Sequence, residues 1–212
     1  MLRASTTQTV KSGNKIGQMS LLLRKQFESI ISLTDQEFDY ILTHFSAKKL
    51  KKNSYLLEAG QHNVSKFFVN KGILKSYYID KSGKEHILQF AEPDWWITDY
   101  KAFFNETEAT IYVDCITDCE LLSITKENLE KLARKFHKLE HFFRIKSNAG
   151  YVASQERILS MLKLTATERF DHFLDQYPNF MQKIPKYLIA SYIGVSREML
   201  SRMTKNVTNR TQ

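Results

Sequence analysis

The stretch IASYIGVSREMLSRM, residues 189–203, sets two short apolar patterns against each other across a glycine. Helices that meet steeply through a tight turn need a small residue at their closest approach and one tolerant of left-handed backbone in the turn. Ala190 and Gly194 meet those needs. Ile189, Ile193, Val195, Leu200 and Met203 take the inward positions if one helix runs over about 186–192 and the next over about 197–205. Ser196 falls where a hydroxyl accepts an unpaired amide at the start of the second helix. Turning roughly 100° per residue, that helix is expected to put Met199, Leu200 and Met203 on one side and Arg197, Glu198, Ser201 and Arg202 on the other.

A charged, hydrogen-bonding face beside an apolar one suits a helix lying in the major groove of double-stranded DNA. Arg donates two hydrogen bonds to O6 and N7 of guanine, and Glu accepts from the cytosine amino group, so Arg197, Glu198 and Arg202 fit a half-site with G·C pairs. Lys186 and Lys205 are candidates for phosphate contacts. Over residues 183–212, six Lys and Arg stand against the single acid Glu198, which is five of the chain's eight net positive charges. The whole chain has 31 basic and 23 acidic residues and an isoelectric point near 9.3, a balance that leans toward a polyanionic partner. The plain alternative is the solvated face of an ordinary helical hairpin.

Working outward, residues 19–50 read as helical: LLLRKQFESII and TDQEFDYILTHF carry apolar residues at helical spacing, and Thr34 with Glu37 makes a capping box. From 53 to 125 the runs are short, β-branched and aromatic, which indicates an antiparallel sandwich or roll. Gly60 and Gly72 fall at strand ends, and DKSG, closing at Gly83, fits a hairpin turn. Beyond 125, forty residues without proline read as helix. Phe142, Ile145, Ala149, Val152 and Leu159 form a heptad-like seam, interrupted by Glu156, for pairing with a second copy or packing on the chain's own sheets. Thr165 with Glu168 makes a second capping box, and Pro178 ends the helix that it starts.

The expected fold class is therefore α+β. Residues 1–18 are a disordered tail, and 19–130 an antiparallel β-roll of double-stranded jelly-roll type with a helical lead-in. A long dimerisation helix over 131–164 and a helix-turn-helix domain over 165–212 follow. Cys115 and Cys119 read as buried thiols on one face of a single strand, with redox sensing the minor alternative. Two cysteines make no disulfide framework, no apolar run approaches the roughly 20 residues of a membrane span, and the start lacks a signal-peptide centre. A cytoplasmic protein that touches no membrane is expected.

These motifs resemble the Crp/Fnr transcription regulators from about residue 25 to 205. FFVNKGILKSYYIDKSGKEHILQFAEPDWW looks like that family's β-roll, and IGVSREMLSRM looks like its recognition motif. The resemblance implies a homodimer on palindromic DNA, contact with RNA polymerase, and base-reading positions at Arg197, Glu198 and Arg202. Members that bind cyclic nucleotides carry a Gly-Glu pair for the ribose and an Arg followed by Ser or Thr for the phosphate. Here Asp99 stands within about one residue of the Glu, while Ala109 replaces the Arg ahead of Thr110. Without that guanidinium a cyclic phosphate loses its fork-shaped partner, so cyclic AMP is not the expected effector. Trp95, Trp96, Asp99 and Thr110 remain the candidate lining for an unidentified one. Members of that family usually continue after the recognition helix into a β-wing, whereas this sequence stops at KNVTNRTQ; either the wing is absent or the sequence ends early, and phosphate contacts from a wing are not assumed.

His137 and His141 have the i, i+4 spacing of metal ligands but no third partner, so a solvated helix face is expected. KKLKK at 48–52 reads the same way. No phosphate-cradling glycine loop or nucleophile-base pair is present, so neither an enzyme nor a cofactor is indicated. The competing class is a ligand-binding β-roll whose helical tail mediates protein contacts without DNA.

Overall fold

The computed structural model describes residues 13–210. The chain divides into two units, one of residues up to Tyr78 with Leu88–Ile145, the other of Ile79–Ile87 with Lys146 onward. In the first unit, α1 (Gly13–Glu28) and α2 (Asp35–Leu42) precede eight strands. Residues 13–18 are helical instead of belonging to a disordered tail, and residues 1–12 of that expected tail lie outside the described residues. Thr34 and Glu37 form both halves of the capping box at α2.

The strands are β1 (Ser46–Leu50), β2 (Tyr55–Leu57), β3 (Lys66–Lys71), β4 (Leu74–Ile79), β5 (Glu85–Ala91), β6 (Trp96–Ile97), β7 (Tyr112–Cys115) and β8 (Cys119–Ile124). They make two four-stranded sheets, ordered β1-β8-β3-β6 and β2-β7-β4-β5. Strands β3, β6 and β8 of the first sheet are largely buried on both faces, which explains their apolar runs, since alternate residues of a strand face opposite ways, whereas β1 is exposed or half-buried throughout. Phe67, Val69, Ile97 and Leu121 enter the core between the sheets, with Leu57, Leu74 and Val113. Phe68, Trp96 and Leu122 enter a second core under the helices, with Leu23, Phe27, Phe38 and Ile41.

The DKSG turn forms as read: the Gly83 amide donates to the Asp80 carbonyl at 2.9 Å, and Gly83 has φ 83°. Two expectations differ. Helix α4 (Lys126–Lys135) ends at Phe136, whose backbone is extended at φ −128°, ψ 90°, and α5 (His137–Lys163) starts afresh. The break seats the Phe136 ring edge-on to Tyr40 at 5.8 Å, and Leu139, Phe142 and Phe143 join the core under the helices. Phe142 is thus fully buried within one chain and belongs to no pairing seam, whereas Ile145, Ala149, Val152 and Leu159 are exposed. Cys115 and Cys119, expected on one strand, end β7 and begin β8, in different sheets, because residues 116–118 cross from one sheet to the other.

Lys66 shares the face of Phe68 and is only 2% exposed. Its Nζ lies 5.0 to 5.4 Å from the ring centroids of Tyr100, Phe143 and Trp96. Cation–π attraction offsets part of the desolvation, yet burial still pushes the Lys66 amine down to about 8 from an ordinary 10.5. A folded-state pKa below the unfolded one means that the unfolded chain binds the extra proton between those values, so stability rises with pH through that window. At neutral pH the buried charge costs roughly 3 kcal/mol relative to the neutral amine. Lys66→Met should recover much of that at pH 7 and flatten the rise. Equal slopes for the two proteins between pH 8 and 10.5 in denaturant titrations would contradict this account.

Candidate nucleic-acid interface

The second unit continues from α5 into α6 (Ala166–Gln176), α7 (Phe180–Lys183), α8 (Lys186–Ile193) and α9 (Arg197–Arg210). Thr165 and Glu168 cap α6 reciprocally. Phe170, Phe173, Tyr177 and Phe180 bury with Ile189, Ala190, Ile193, Leu200 and Met203, which fixes α8 against α9 as their spacing requires. Gly194 sits at φ 72°, and the following Val195 amide returns to the Ala190 carbonyl at 3.0 Å, closing α8 with a left-handed cap. The Met199 amide donates to the Ser196 hydroxyl at 3.2 Å, so Ser196 caps α9.

Two arginines that the sequence reading passed over hold the carboxyl end of α8. Arg169 donates from Nε to the Ile193 carbonyl at 2.8 Å and from Nη1 to the Leu164 carbonyl at 2.7 Å. Arg157 donates to the Tyr192 carbonyl at 3.1 Å with its guanidinium 3.7 Å from the Tyr192 ring centre. Cations at a helix C-terminus satisfy orphaned carbonyls and complement the dipole. No spacing rule marks them, since both come from other helices. The hairpin tip also belongs to this unit: Ser191 Oγ donates to the Glu85 carbonyl at 2.9 Å, and Arg157 to that of Ile87 at 2.7 Å.

Arg197, Glu198, Ser201, Arg202 and Lys205 are all exposed on α9, as is Lys186 on α8. Met199 differs from expectation: it is 43% exposed and stands outside the apolar stripe, because α8 covers only the narrow strip of Leu200 and Met203. Glu198 also differs. Its carboxylate accepts from its own backbone amide and from Ser196, and with Arg197 and Arg202 nearby it is held below the ordinary carboxylate range. Arg197 extends over the Tyr187 ring, 5.0 Å from its centre.

The candidate effector residues separate. Trp96 lies in the core under the helices and donates from Nε1 to Gln26 Oε1 at 2.6 Å. Trp95 packs instead against the core between the sheets, which also contains Ala102 and Ala109. Asp99 and Thr110 do meet. Asp99 Oδ1 accepts from the Ala102 amide at 3.0 Å, capping α3 (Tyr100–Asn105), and Oδ2 accepts from the Thr110 amide at 2.7 Å and its hydroxyl at 2.9 Å. Burial raises the Asp99 pKa, but these donors outweigh it and hold the carboxyl below its usual value. The carboxylate is occupied by the chain itself.

Residues 47–136 match the cyclic nucleotide-binding domain. The chain is 25% identical to the anaerobic regulatory protein of Haemophilus influenzae, across 91% of this chain and 81% of that protein. It is 26% identical to the cAMP-activated global transcriptional regulator CRP of the same organism, across 81% of each. The chain is thus similar to transcription regulators of the Crp/Fnr type along most of its length. Its fold is also that of FixK2 from Bradyrhizobium japonicum, with a TM-score of 0.70 at 16% identity, over 79% of this chain and 86% of that one. Among the described residues, no helix is long and apolar enough to cross a membrane.

Gly194→Val tests the turn between α8 and α9. A β-carbon there would meet only the mobile end of Met161, at 2.8 Å, so the cost comes from the backbone. Left-handed backbone costs a non-glycine residue about 1–2 kcal/mol and a β-branched one more. Thermal unfolding should show the second unit destabilised by at least that amount, and an unchanged melting temperature would rule out the left-handed cap in solution.

Proposed function

We propose that the chain is a transcription regulator that reads a palindromic DNA site as a homodimer. The exposed face of Arg197, Ser201, Arg202 and Lys205 on a helix seated by Gly194 and Ser196 carries this reading. Exposed apolar residues of α5 support self-pairing: Tyr151 at 69%, Val152 at 50%, Ile158 at 61% and Leu162 at 77%. A two-fold dimer sets its recognition helices about 34 Å apart, one turn of DNA. Arg202 and Arg197 read base edges, while Lys186 and Lys205 hold phosphates and supply affinity without sequence preference. Contact with RNA polymerase follows from the family, and the cytoplasm is the compartment that such a role requires.

We further propose that cyclic AMP is not the effector. Ala109 offers no guanidinium, and the Thr110 donors already serve Asp99. Calorimetry with micromolar cyclic AMP should give no saturating isotherm, and one clear saturation would overturn this part. Selection of bound duplexes from a random pool should enrich a palindrome with half-sites about 10–10.5 base pairs apart, with affinity falling steeply as salt is added. No enrichment with or without cyclic AMP would argue against the DNA reading. Arg202→Ala should weaken the selected site by about 1–3 kcal/mol and relax preference at one base position. Equal loss on every sequence would instead make Arg202 a phosphate contact.

A further inference from the structure

The thioether of Met161 is a reactive group for which DNA reading has no use, and it rests against the turn that seats α9. Its Cε lies 2.8 Å, and its Sδ 3.7 Å, from the point that a β-carbon on Gly194 would occupy. The methionine thus fills the place of the side chain that the left-handed glycine lacks. Four residues on from Arg157, it shares that residue's side of α5. Met161 is 44% exposed, so solvent reaches this side chain although its end touches the turn.

A cavity of about 40 Å³ within the second unit lies beside it, with Met161, Arg157, Ser160, Arg169, Tyr192 and Ile193 in its walls. A water needs about 10–15 Å³ of such space, so one further oxygen atom has room. The walls also contain a donor for it. Arg169 uses Nε for the Ile193 carbonyl and Nη1 for the Leu164 carbonyl, and among the described residues none accepts from its Nη2. A thioether is only a weak acceptor for that group, whereas a sulfoxide oxygen is a polar one. Ile193 is the last residue of α8, so drawing Arg169 toward a new oxygen loosens the bond that ends the helix beside Gly194.

We propose that Met161 is a reversible oxidation site that weakens the turn between α8 and α9, with a hydroperoxide as its substrate. The sulfur lone pair attacks one peroxide oxygen, the O–O bond breaks, and the proton of the transferred oxygen passes to the departing hydroxide, which leaves as water. One thioether and one hydrogen peroxide give one sulfoxide and one water; the sulfur loses two electrons and the peroxide gains them. The new oxygen turns into the cavity toward Arg169 Nη2. Methionine sulfoxide reductases, supplied with a dithiol, return the thioether. The oxidation and its effect on the turn are independent of DNA, while any effect on DNA affinity rests on the reading of α9 proposed above.

The experiment treats the full chain with hydrogen peroxide, maps added oxygen by mass spectrometry and follows hydrogen exchange at the Val195 amide, which closes the turn onto the Ala190 carbonyl at 3.0 Å. Met199, at 43% exposed, is the comparison, since it is as open to peroxide but stands outside the apolar stripe of α9. Met161 should gain one oxygen at a rate comparable with Met199, and exchange at Val195 should then rise by about tenfold or more. Both changes should reverse with the reductases. Met161→Leu should keep slow exchange at Val195 after peroxide, and Met199→Leu should not; melting temperatures before peroxide show whether each variant folds as the parent does. A duplex that the parent binds should be held more weakly after oxidation. Met161 left intact while Met199 reacts, or an oxidised Met161 with unchanged exchange at Val195, would overturn the proposal. A chain that binds no duplex but shows the change at Val195 would count against the DNA reading alone and leave the oxidation site established.

Discussion

Phe67 and Phe68 leave β3 in opposite directions, and the first unit depends on burying both. One faces the second sheet, the other faces the helices, and neighbouring β8 and β6 repeat the division at Leu121 and Leu122 and at Ile97 and Trp96. A slip of one residue would exchange the two sets, and each large side chain misplaced would lose about 1.5–3 kcal/mol of burial. The same alternation forces Lys66 under the helices, since it lies two residues before Phe68. Its aromatic surroundings are thus a consequence of register: the rings of Trp96 and Phe143 are there for the core, and the ammonium is placed among them.

The sensor-like unit supplies its own anion. Asp99 receives two amides and a hydroxyl, a donor set sufficient to keep a carboxylate ionised in a buried place. A second anion brought to the same donors at ~4 Å from Asp99 would meet about 4 kcal/mol of repulsion at an effective dielectric constant of 20. A charge-assisted hydrogen bond returns roughly 1.5–3 kcal/mol. Repulsion exceeds a single such bond, and Ala109 has no side-chain donor to make up the difference. At Asp99 these donors are thus taken up by the chain's own carboxylate.

Features set by local chemistry were legible in the sequence. Thr34 and Thr165 announce capping boxes, DKSG announces its hairpin, and Ala190 with Gly194 announces the steep turn, because each is settled within a few residues. What escaped depends on partners distant in sequence. Phe136 breaks a helix that propensity would continue, since its ring is drawn to Tyr40. Cys115 and Cys119 have the spacing of one strand and occupy two sheets, because a three-residue crossing can look like strand when every residue in it tolerates extension. Arg157 and Arg169 carry no local signature at all, as their acceptors are helix-end carbonyls contributed by other parts of the chain.

The outer face of α9 is narrower in polar reach than its composition suggests. Glu198 is turned back onto the helix start, where it accepts from its own amide and from Ser196, so the negative group in Arg-Glu-x-x-x-Arg serves the cap first. Among the described residues, Arg197, above Tyr187, and Arg202 have no recorded hydrogen bond to a backbone carbonyl, and Met199 adds an apolar surface of the kind that meets a thymine methyl group. On the proposed reading, the side chains of this face free to turn outward are the two arginines and the exposed methionine, whereas Glu198 would first have to give up its bonds at the helix start.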